Sequence, residues 1–541
     1  MSNTLNFNSR RSPVLGRGGM AATSQPLAAA AGLDTLRRGG NAADAAVAMA
    51  AALNVTEPTS TGIGGDCFAL YYDAQTRQVS ALNGSGRAPQ ALTLERLQAE
   101  GYAHELPPYH PYTITVPGAC AGWCDLVARH GRLEMAQVLA PAIRLAEEGF
   151  PVSPITAYFW GRGAERQLAA ALNGRELTIN GRGPRPGEIF RNPGLARTLQ
   201  AVAEGGKAAY YQAEIAAAIA RVIQQAGGCL SEADLAAHTS TWQEPISTTY
   251  RGMTIWECPP NGQGLAALLA LNLLEGYPLQ DMEAFSAERL HLLIEALRLA
   301  FADTRWYAAD PEYSPAPLAE LLSKEYAAQR RRLIDPRRAT LDQVLGTPTS
   351  SSDTVYLTVV DGDGNACSFI NSNYMGFGTG IVPEGWGFTL QNRGHNFSLE
   401  PGHPNALAPG KRPYHTIIPA LATHPNGDLY ASFGVMGGFM QPQGHVQVLL
   451  NLLDDGLDPQ AALDRPRLCI NDGTAGGRVS LEEGLPSGLL EQLVGMGHPV
   501  EWVSGHARAL FGRGQIILRE RDSGVLWGGS DPRADGCAMS L

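Results

Sequence analysis

The stretch SSSDTVYLTVVDGDGNACSFINS (350–372) contains a run of small polar residues followed by two apolar segments with a turn between them. TVYLTVVD (354–361) and ACSFINS (366–372) are rich in apolar and β-branched residues, and GDGN has the glycine and asparagine that turns prefer. The pattern predicts two strands joined by a hairpin-type turn, with Thr354 at the start of the first strand.

Further strands and helices follow each other in blocks on both sides of this hairpin. Strands are predicted for CFALYYD (67–73), QVSALNGSGRAP (78–89), GFTLQN (387–392) and LYASFGVM (429–436). Helices are predicted for NAADAAVAMAAALNV (41–55), QVLAPAIRLAEEGF (137–150), the amphipathic SAERLHLLIEALRLAFADTRWYAAD (286–310) and HVQVLLNLLDDG (445–456). This order predicts an α+β fold of antiparallel sheets covered by helices rather than a doubly wound parallel sheet.

Composition and charge exclude several classes of protein. The 541 residues are 44% hydrophobic and 17% charged, which is typical of globular proteins, and the length suggests two tightly joined lobes. A net charge of −11 argues against a nucleic-acid partner. The N-terminus lacks the apolar core of a signal peptide and residues 41–55 are too short to span a membrane, so we expect a cytoplasmic protein.

The cysteines and histidines do not predict a metal site. The eight cysteines form no CxxC pair, and most lie in apolar surroundings, which favours free thiols in a reducing compartment over disulfides. The twelve histidines form no cluster with the spacing of metal ligands, and neither a GxSxG nor an HExxH motif is present. GFGTG (376–380) is interpreted as a turn because no Lys-Ser/Thr pair follows it.

Thr354 is open to two interpretations. It would begin a strand, for which a β-branched residue is suited, or it would be a nucleophile. A threonine hydroxyl needs a base beside it, and cleavage of the bond between Asp353 and Thr354 would create an α-amino group with a pKa of about 7.7–8 for that task. The small polar linker 340–353 is the flexible segment that such a self-cleaving junction requires.

A candidate oxyanion hole follows the strand LYASFGVM. Gly437 and Gly438 have no side chains, so their backbone N–H groups would be free to point at a developing negative charge. The alternative is that the two glycines merely form a turn.

Many stretches in the same order resemble the γ-glutamyltransferase (γ-glutamyltranspeptidase) family of N-terminal-nucleophile hydrolases over nearly the full length. They include MAATSQPLAAAAGLDTLRRGGNAADAAVA, EPTSTGIGGDCFAL, TVPGACAGW, LAPAIRLAEEGFPVS, HLLIEALRLAFAD, DTVYLTVVDGDGNACSFINSNYMGFGTGIV, LAPGKRPYHTIIPAL and GGSDPR.

The resemblance implies a four-layer αββα sandwich of two antiparallel sheets, made as a precursor that cuts itself. The large chain would be 1–353 and the small chain 354–541, with the nucleophile Thr354 at its new N-terminus. Gly437 and Gly438 fall on the family's oxyanion-hole glycines, and Ser372 on a threonine that contacts the nucleophile. No cofactor and no metal are implied, and the partners are the two chains themselves, with higher oligomers possible.

The substrate-binding positions depart from the family pattern. Ser85 stands where an arginine holds the glutamyl carboxylate, Asn396 where an acid holds the amine, and Tyr374 in place of a neighbouring asparagine. Of two serines expected near the carboxylate, His415 replaces the first and Thr416 the second. The loss of both charged anchors implies a change of substrate, because a hydroxyl does not replace a bidentate arginine.

Arg393 in QNRGHNFS stands where the family commonly has a neutral residue. It would anchor a carboxylate from a new direction, or it would brace the loop. The signatures NGSGRAP, SNYMGFG and QNRG are similar to an oxamate amidohydrolase-like and acylase-like subset of the family. Three hypotheses follow: an amidohydrolase of a small carboxylate-bearing amide such as oxamate, a γ-glutamyl hydrolase or transferase acting on glutathione-like compounds, and an inactive scaffold or binding protein.

Overall fold

The computed structural model describes residues 11–341, 354–474 and 476–541. Its strands are β1 Val14–Gly16, β2 Gly19–Thr23, β3 Asp66–Asp73, β4 Gln78–Gly84, β5 Phe150–Pro151, β6 Ile189–Phe190, β7 Thr241–Gln243, β8 Ile246–Tyr250, β9 Met253–Glu257, β10 Val355–Asp361, β11 Ala366–Ser372, β12 Ala420–Thr423, β13 Leu429–Met436, β14 Leu468–Ile470, β15 Val479–Glu482, β16 Val500–Val503, β17 Arg513–Arg519, β18 Leu526–Ser530 and β19 Cys537–Ser540.

Helices cover much of the remaining described chain. They are α1 Pro26–Arg37, α2 Ala42–Thr56, α3 Leu94–Ala99, α4 Ala119–His130, α5 Met135–Glu148, α6 Pro154–Gly163, α7 Pro193–Tyr211, α8 Glu214–Gln225, α9 Glu232–Ala236, α10 Gly264–Leu274, α11 Ala287–Tyr307, α12 Leu318–Leu321, α13 Lys324–Arg331, α14 Met440–Leu453, α15 Pro459–Asp464 and α16 Leu489–Gly495.

Two seven-stranded antiparallel sheets form the centre of the protein. Sheet I has the strand order β19-β2-β10-β11-β3-β4-β7, and sheet II has the order β1-β18-β17-β13-β12-β9-β8. The predicted hairpin is central in sheet I, where Val355 pairs with Asn371. Both sheets contain strands from before and after the undescribed segment 342–353, so the two parts of the chain build one folded unit. The division into 1–353 and 354–541 stays a prediction.

The core has three apolar layers, which give the four-layer order helix, sheet, sheet, helix. Between the sheets, residues such as Phe68 and Ile370 of sheet I pack with Leu421 and Ile517 of sheet II. Helices α1, α2, α4 and α5 share a core cluster with the outer face of sheet I, and α10, α11 and α14 share one with sheet II. The predicted αββα sandwich is confirmed.

The Ala-rich helix α2 shows how the sequence sets a local structure. Asn41 accepts hydrogen bonds from the backbone N–H groups of Ala43 and Asp44, and the Asp44 side chain accepts one from the Asn41 N–H, which completes a capping box. All 15 residues of α2 are buried. Alanine allows this because it has high helix propensity and permits close approach of the neighbouring layers.

Three sequence-based expectations differ from the structure. GFTLQN (387–392) forms no strand, because Gly387 has a φ of +68° and the N–H groups of Leu390 and Gln391 bond to loop residues. Helix α14 begins at Met440 rather than near His445. The helix predicted as amphipathic, α11, also buries three charged residues, Arg289, Glu295 and Arg298, which form ion pairs inside the protein.

The cysteines agree with the expectation of free thiols: all eight are free, and five of them are buried. Among the described helices, none combines the length and the apolar character needed to cross a bilayer.

Candidate active site

Four polar residues lie side by side at one end of sheet I. Ser372 pairs with Asp66 across β11 and β3. The same registers, continued by one residue, place Thr354 opposite Ser372 and Ser85 opposite Asp66. Residues opposite each other on neighbouring strands point to the same face, so this end of the sheet presents one continuous row.

The hydroxyl groups of the predicted nucleophile and its neighbour are in contact. Thr354 Oγ1 lies 3.1 Å from Ser372 Oγ, and both residues are fully buried. The Tyr374 N–H donates to Ser372 Oγ at 2.9 Å, and Tyr374 has a φ of +78°, a conformation that is strained for a bulky residue. The predicted cleavage partner, Asp353, lies outside the described residues.

Arg393 places a positive charge directly beside this hydroxyl pair. Its guanidinium donates from Nη2 to Ser372 Oγ at 3.1 Å and from Nη1 to Thr416 Oγ1 at 2.7 Å. The Tyr374 ring stacks on it at 4.4 Å, and Arg393 is fully buried. Burial lowers the pKa of Arg393 to about 10, although Asp66 and Tyr374 oppose the shift. The side chain therefore stays charged at neutral pH.

Asp66 is the acidic group that faces this arginine. Its Oδ1 accepts hydrogen bonds from the N–H groups of Gly86 and Gly118 at 3.0 and 3.1 Å. Burial raises the pKa of Asp66 to about 7, and Arg393 is the largest influence in the opposite direction. The pKa of Asp66 is therefore set near neutral by two competing effects, burial and the positive charge of Arg393.

His415 completes this buried polar group. Its Nε2 lies 3.1 Å from Asp66 Oδ2, and its Nδ1 accepts a hydrogen bond from the Ile417 N–H at 3.4 Å. Burial, reinforced by Arg393 and Arg412, holds the pKa of His415 well below its ordinary value. A neutral His415 that donates from Nε2 to Asp66 satisfies both contacts.

Two other predicted substrate-binding residues have different surroundings. The Ser85 hydroxyl is buried, donates to Asn83 Oδ1 at 2.6 Å and accepts from Asn261 Nδ2 at 3.3 Å. Asn396 Oδ1 accepts from the Tyr374 hydroxyl at 2.6 Å, while its Nδ2 has no hydrogen-bond partner among the described residues. The structure therefore connects Asn396 through Tyr374 to Arg393, whereas Ser85 belongs to an asparagine network. Their roles in binding stay predictions.

The glycine pair lies at the corresponding end of sheet II. Thr358 Oγ1 donates to Ser432 Oγ at 2.5 Å across the sheets, and the Tyr356 ring packs on Gly434. Thr358 thus faces Ser432, and Tyr356 faces Gly434. Two residues further along each strand lie Thr354 and Met436, so Thr354 and the glycine pair after Met436 are at the same end of the sandwich.

The conformation of the glycine pair requires glycine. Gly437 and Gly438 have φ values of +134° and +61°, which other residues rarely adopt. The Gln263 side-chain amide donates to the Gly438 carbonyl oxygen at 2.8 Å and to the Thr416 carbonyl oxygen at 2.6 Å. Helix α14 begins just after the pair, so its N-terminal end also favours an anion there.

A cavity of about 350 Å³ opens beside Gly437. Its lining combines residues 375–377 of the loop after Tyr374 with further apolar residues, among them Phe159 and Phe439. Arg162, Arg166 and His506 line it as well. The cavity therefore offers space next to the candidate oxyanion hole, with apolar surfaces and cationic side chains.

Sequence reasoning did not identify Asp66 and Gln263 as parts of the site. A lone acid before the apolar strand CFALYY is a detectable feature, but its partner Arg393 is remote in the chain. Gln263 lies in a glycine-rich turn and acts on backbone carbonyl groups, for which no side-chain motif exists.

Comparison with known proteins supports the chemistry that the geometry indicates. The sequence model of the family described as "Gamma-glutamyltranspeptidase" matches residues 28–541. The glutathione hydrolase-like YwrD proenzyme of Bacillus subtilis is 37% identical over 98% of this chain and 99% of its own. The oxamate amidohydrolase proenzyme of Klebsiella pneumoniae is 32% identical, with 96% and 98% covered.

A solved structure is also similar over the whole chain. The crystal structure of cephalosporin acylase from Bacillus halodurans superposes with a TM-score of 0.92 at 48% identity, and 98% of this chain and 97% of that chain are covered. The chain therefore belongs to the γ-glutamyltranspeptidase family of N-terminal-nucleophile enzymes, which act on amide bonds.

Proposed function

We propose that the protein is a self-processing amidohydrolase whose preferred substrate is a short amide with a carboxylate next to the scissile carbonyl group, as in oxamate. The observation that carries the proposal is the position of Arg393, which contacts Ser372, the residue that contacts Thr354. The cation is thus separated from the nucleophile by a single hydroxyl group.

This short separation favours a short acid. In oxamate the carboxylate is bonded directly to the amide carbonyl carbon, so a carboxylate held by Arg393 would bring that carbon to Thr354 Oγ1. In a γ-glutamyl compound three carbon atoms separate the α-carboxylate from the reacting carbonyl group, and an anchor so close to the nucleophile is poorly placed for it. Charge-assisted hydrogen bonds from a buried guanidinium would fix the short acid strongly.

The position predicted to hold the amine of a γ-glutamyl substrate also carries no charge. Asn396 is neutral, and its Nδ2, which has no hydrogen-bond partner within the described part of the chain, is a donor that suits an anion better than an ammonium group. Asp66 is the acid near Arg393, but two backbone N–H groups and His415 already occupy its oxygens.

The reaction would begin with cleavage of the chain before Thr354. The new α-amino group takes the proton from Oγ1, and the oxygen attacks the amide carbon. The N–H groups of Gly437 and Gly438 stabilise the oxyanion, and the protonated amine gives its proton to the leaving ammonia. Water, activated by the same amine, attacks the resulting ester and releases the acid and Thr354. Processing would leave two chains, 1–353 and 354–541, held together as a heterodimer.

The cavity favours a second candidate, an amidohydrolase of larger acyl amides. Its volume of about 350 Å³ exceeds what oxamate needs, and its phenylalanine side chains suit an apolar group. Arg162 and Arg166 at this cavity would attract an anionic substrate. The acylase among the similar structures makes this the main competitor of the short-acid proposal.

Parallel assays distinguish the candidates. We would measure ammonia release from oxamate, hydrolysis of a γ-glutamyl anilide, and hydrolysis of a glutaryl anilide that carries a larger acyl chain. The proposal expects the highest kcat/KM for oxamate. Preferential hydrolysis of the glutaryl compound would support the second candidate, and efficient turnover of the γ-glutamyl compound would contradict both.

The free thiols support a reducing compartment, so we propose a cytoplasmic enzyme. Fractionation of the native host, with detection of the protein by antibody, tests this assignment.

A further inference from the structure

Away from the active site, the described residues contain one group of histidine and carboxylate side chains close enough together to hold a metal ion. It consists of His291 and Glu295, four residues apart on one face of α11, and His498 in the loop between α16 and β16. One potential ligand atom from each residue lies within 4.8 Å of the other two, and all three residues are buried.

The hydrogen bonds of His291 leave one ring nitrogen directed at this group. Its Nε2 lies 2.7 Å from the Asp335 carbonyl oxygen, so Nε2 carries the proton and the Nδ1 electron pair accepts a hydrogen bond from His498. Metal-binding histidines are commonly oriented by such a bond from the other ring nitrogen to a backbone carbonyl group. Nδ1 lies 2.7 Å from His498 Nε2, which places the two imidazoles edge to edge.

Two buried polar atoms of the group have no hydrogen-bond partner among the described residues. They are Glu295 Oε1 and His498 Nδ1. Glu295 Oε2 accepts a hydrogen bond from the Thr340 N–H at 3.0 Å, whereas the nearest cation, Arg298, has its Nε 3.7 Å from Oε1, beyond hydrogen-bond range. A buried carboxylate oxygen that has an ion pair at this distance but no hydrogen bond is costly, and a cation bound directly to it would remove that cost. In the metal-free protein His498 Nε2 donates to His291 Nδ1, and metal binding would move that proton to His498 Nδ1 and replace this hydrogen bond with two metal–nitrogen bonds.

We infer that His291 Nδ1, Glu295 Oε1 and His498 Nε2 form a binding site for Zn²⁺. Two imidazoles and one carboxylate are a ligand set that zinc favours, and hard cations such as Mg²⁺ do not. Ligand atoms around a tetrahedral zinc ion lie about 3.4 Å apart, so the two histidine nitrogens, now 2.7 Å apart, would separate slightly and the carboxylate would adjust to complete the site. The fourth position is left for a water molecule.

The position of the ligands gives the ion a structural role. His291 and Glu295 precede the proposed cleavage point, and His498 follows it, so in the processed protein the ion would join the two chains. This part of the inference rests on the proposed cleavage before Thr354, whereas zinc binding itself does not. Asp335 and Thr340, which contact the same side chains, lie in the last described segment before residues 342–353.

Zinc loading of the full-length protein tests the site. The purified protein is stripped with a chelator, reloaded with ZnCl₂ and passed over a desalting column, and zinc is counted by elemental analysis. We expect one zinc ion per molecule and a rise in Tm that depends on the zinc concentration. Glu295→Gln and His498→Gln, which conserve size, should weaken zinc binding about tenfold or more. His104→Ala, at an exposed histidine, serves as the matched control and should bind like the unaltered protein.

The outcomes separate the metal site from the cleavage proposal. No stoichiometric zinc in the reloaded protein, or equal binding by Glu295→Gln and His498→Gln, would overturn the site. The same titration with the Thr354→Ala protein should give one zinc ion even if no cleavage occurs. In the processed protein, chelation should lower the guanidinium concentration at which the two chains separate, and His498→Gln should remove this effect of the chelator. If it does not, the role as a link between the chains is wrong.

Discussion

The proposed nucleophile, Thr354, and its cationic neighbour, Arg393, are held at the same site by different kinds of contact. Thr354 and Ser372 face each other because two adjacent strands are in register, so main-chain hydrogen bonds along a central hairpin fix their contact. Arg393 comes from a short 3-10 turn outside both sheets, and its position depends on side-chain contacts with Ser372, Thr416 and Tyr374. The hydroxyl pair, which is proposed to perform the chemistry, is therefore held by the sheet, whereas Arg393, which is proposed to select the substrate, is held by contacts between side chains.

Substitution of the nucleophile should have the largest effect. Thr354→Ala removes the attacking oxygen, so we expect no cleavage into two chains and a loss of turnover of about 10³-fold or more. Denaturing electrophoresis and the amide assay measure both. Thr354→Ser keeps a hydroxyl group and should retain cleavage. If Thr354→Ala still appears as two bands and turns over substrate, the nucleophile is assigned wrongly.

Removal of the positive charge of Arg393 directly tests its proposed role as the carboxylate anchor. Arg393→Met keeps the length but not the charge, and we expect kcat/KM for oxamate to fall by about 10²–10³-fold, because buried charge-assisted contacts contribute about 2–4 kcal/mol. Arg87→Met is the matched control, since Arg87 is a partly exposed arginine that bonds to Glu312 and the Thr239 carbonyl oxygen. If both variants lose oxamate activity equally, Arg393 is not the anchor.

The Asp66 carboxyl group should make stability depend on pH. Its folded pKa of about 7 exceeds the ordinary value of 3.8, so the folded protein retains a proton that the unfolded chain has lost between these two pH values. Compared with Asp66→Asn, the free energy of unfolding of the unaltered protein should therefore fall by a few kcal/mol as the pH rises from about 4 to about 7. Urea unfolding at several pH values measures the difference. A pH-independent difference would mean that Arg393 keeps Asp66 ionised.

Ser85 should show the smallest effect on catalysis. Its hydroxyl group is fully engaged with Asn83 and Asn261, so Ser85→Ala should reduce stability by about 1 kcal/mol and change kcat/KM less than about twofold. Ser372→Ala is the contrasting variant, because this hydroxyl contacts both Thr354 and Arg393 and its loss should reduce kcat/KM at least tenfold. A large activity loss in Ser85→Ala would place Ser85 at the substrate after all.

Much of the fold was predictable because it depends on local patterns. The hairpin around Gly362–Asn365, the capped Ala-rich helix and the strand before Gly437 each have a periodicity or turn chemistry that the sequence displays. GFTLQN was the exception, since its alternating residues resemble a strand but its hydrogen bonds go to other loops. Local propensity does not specify which partner a segment finds.

The site was predictable only in part. Thr354, Ser372 and the glycine pair lie on or just beyond strands, so the resemblance to a family could locate them in the chain. Asp66 as the counter-charge of Arg393 was not predictable, because Asp66 begins β3 whereas Arg393 lies in a 3-10 turn remote in the chain, and only the folded protein brings their charges together. The same holds for the zinc ligand His498, which is remote in the chain from the helix that carries the other two.

The sequence by itself therefore determined the layered α+β fold and pointed to Thr354 as the proposed nucleophile, because strand and helix patterns and the residues around Thr354 are local properties. The tertiary structure alone decided the charge balance of the site: which arginine lies beside the hydroxyl pair, which acid opposes it, and which residues, such as Ser85, form hydrogen bonds in a separate network. Electrostatic and hydrogen-bond contacts form between side chains according to distance in space, and only the packed protein sets that distance.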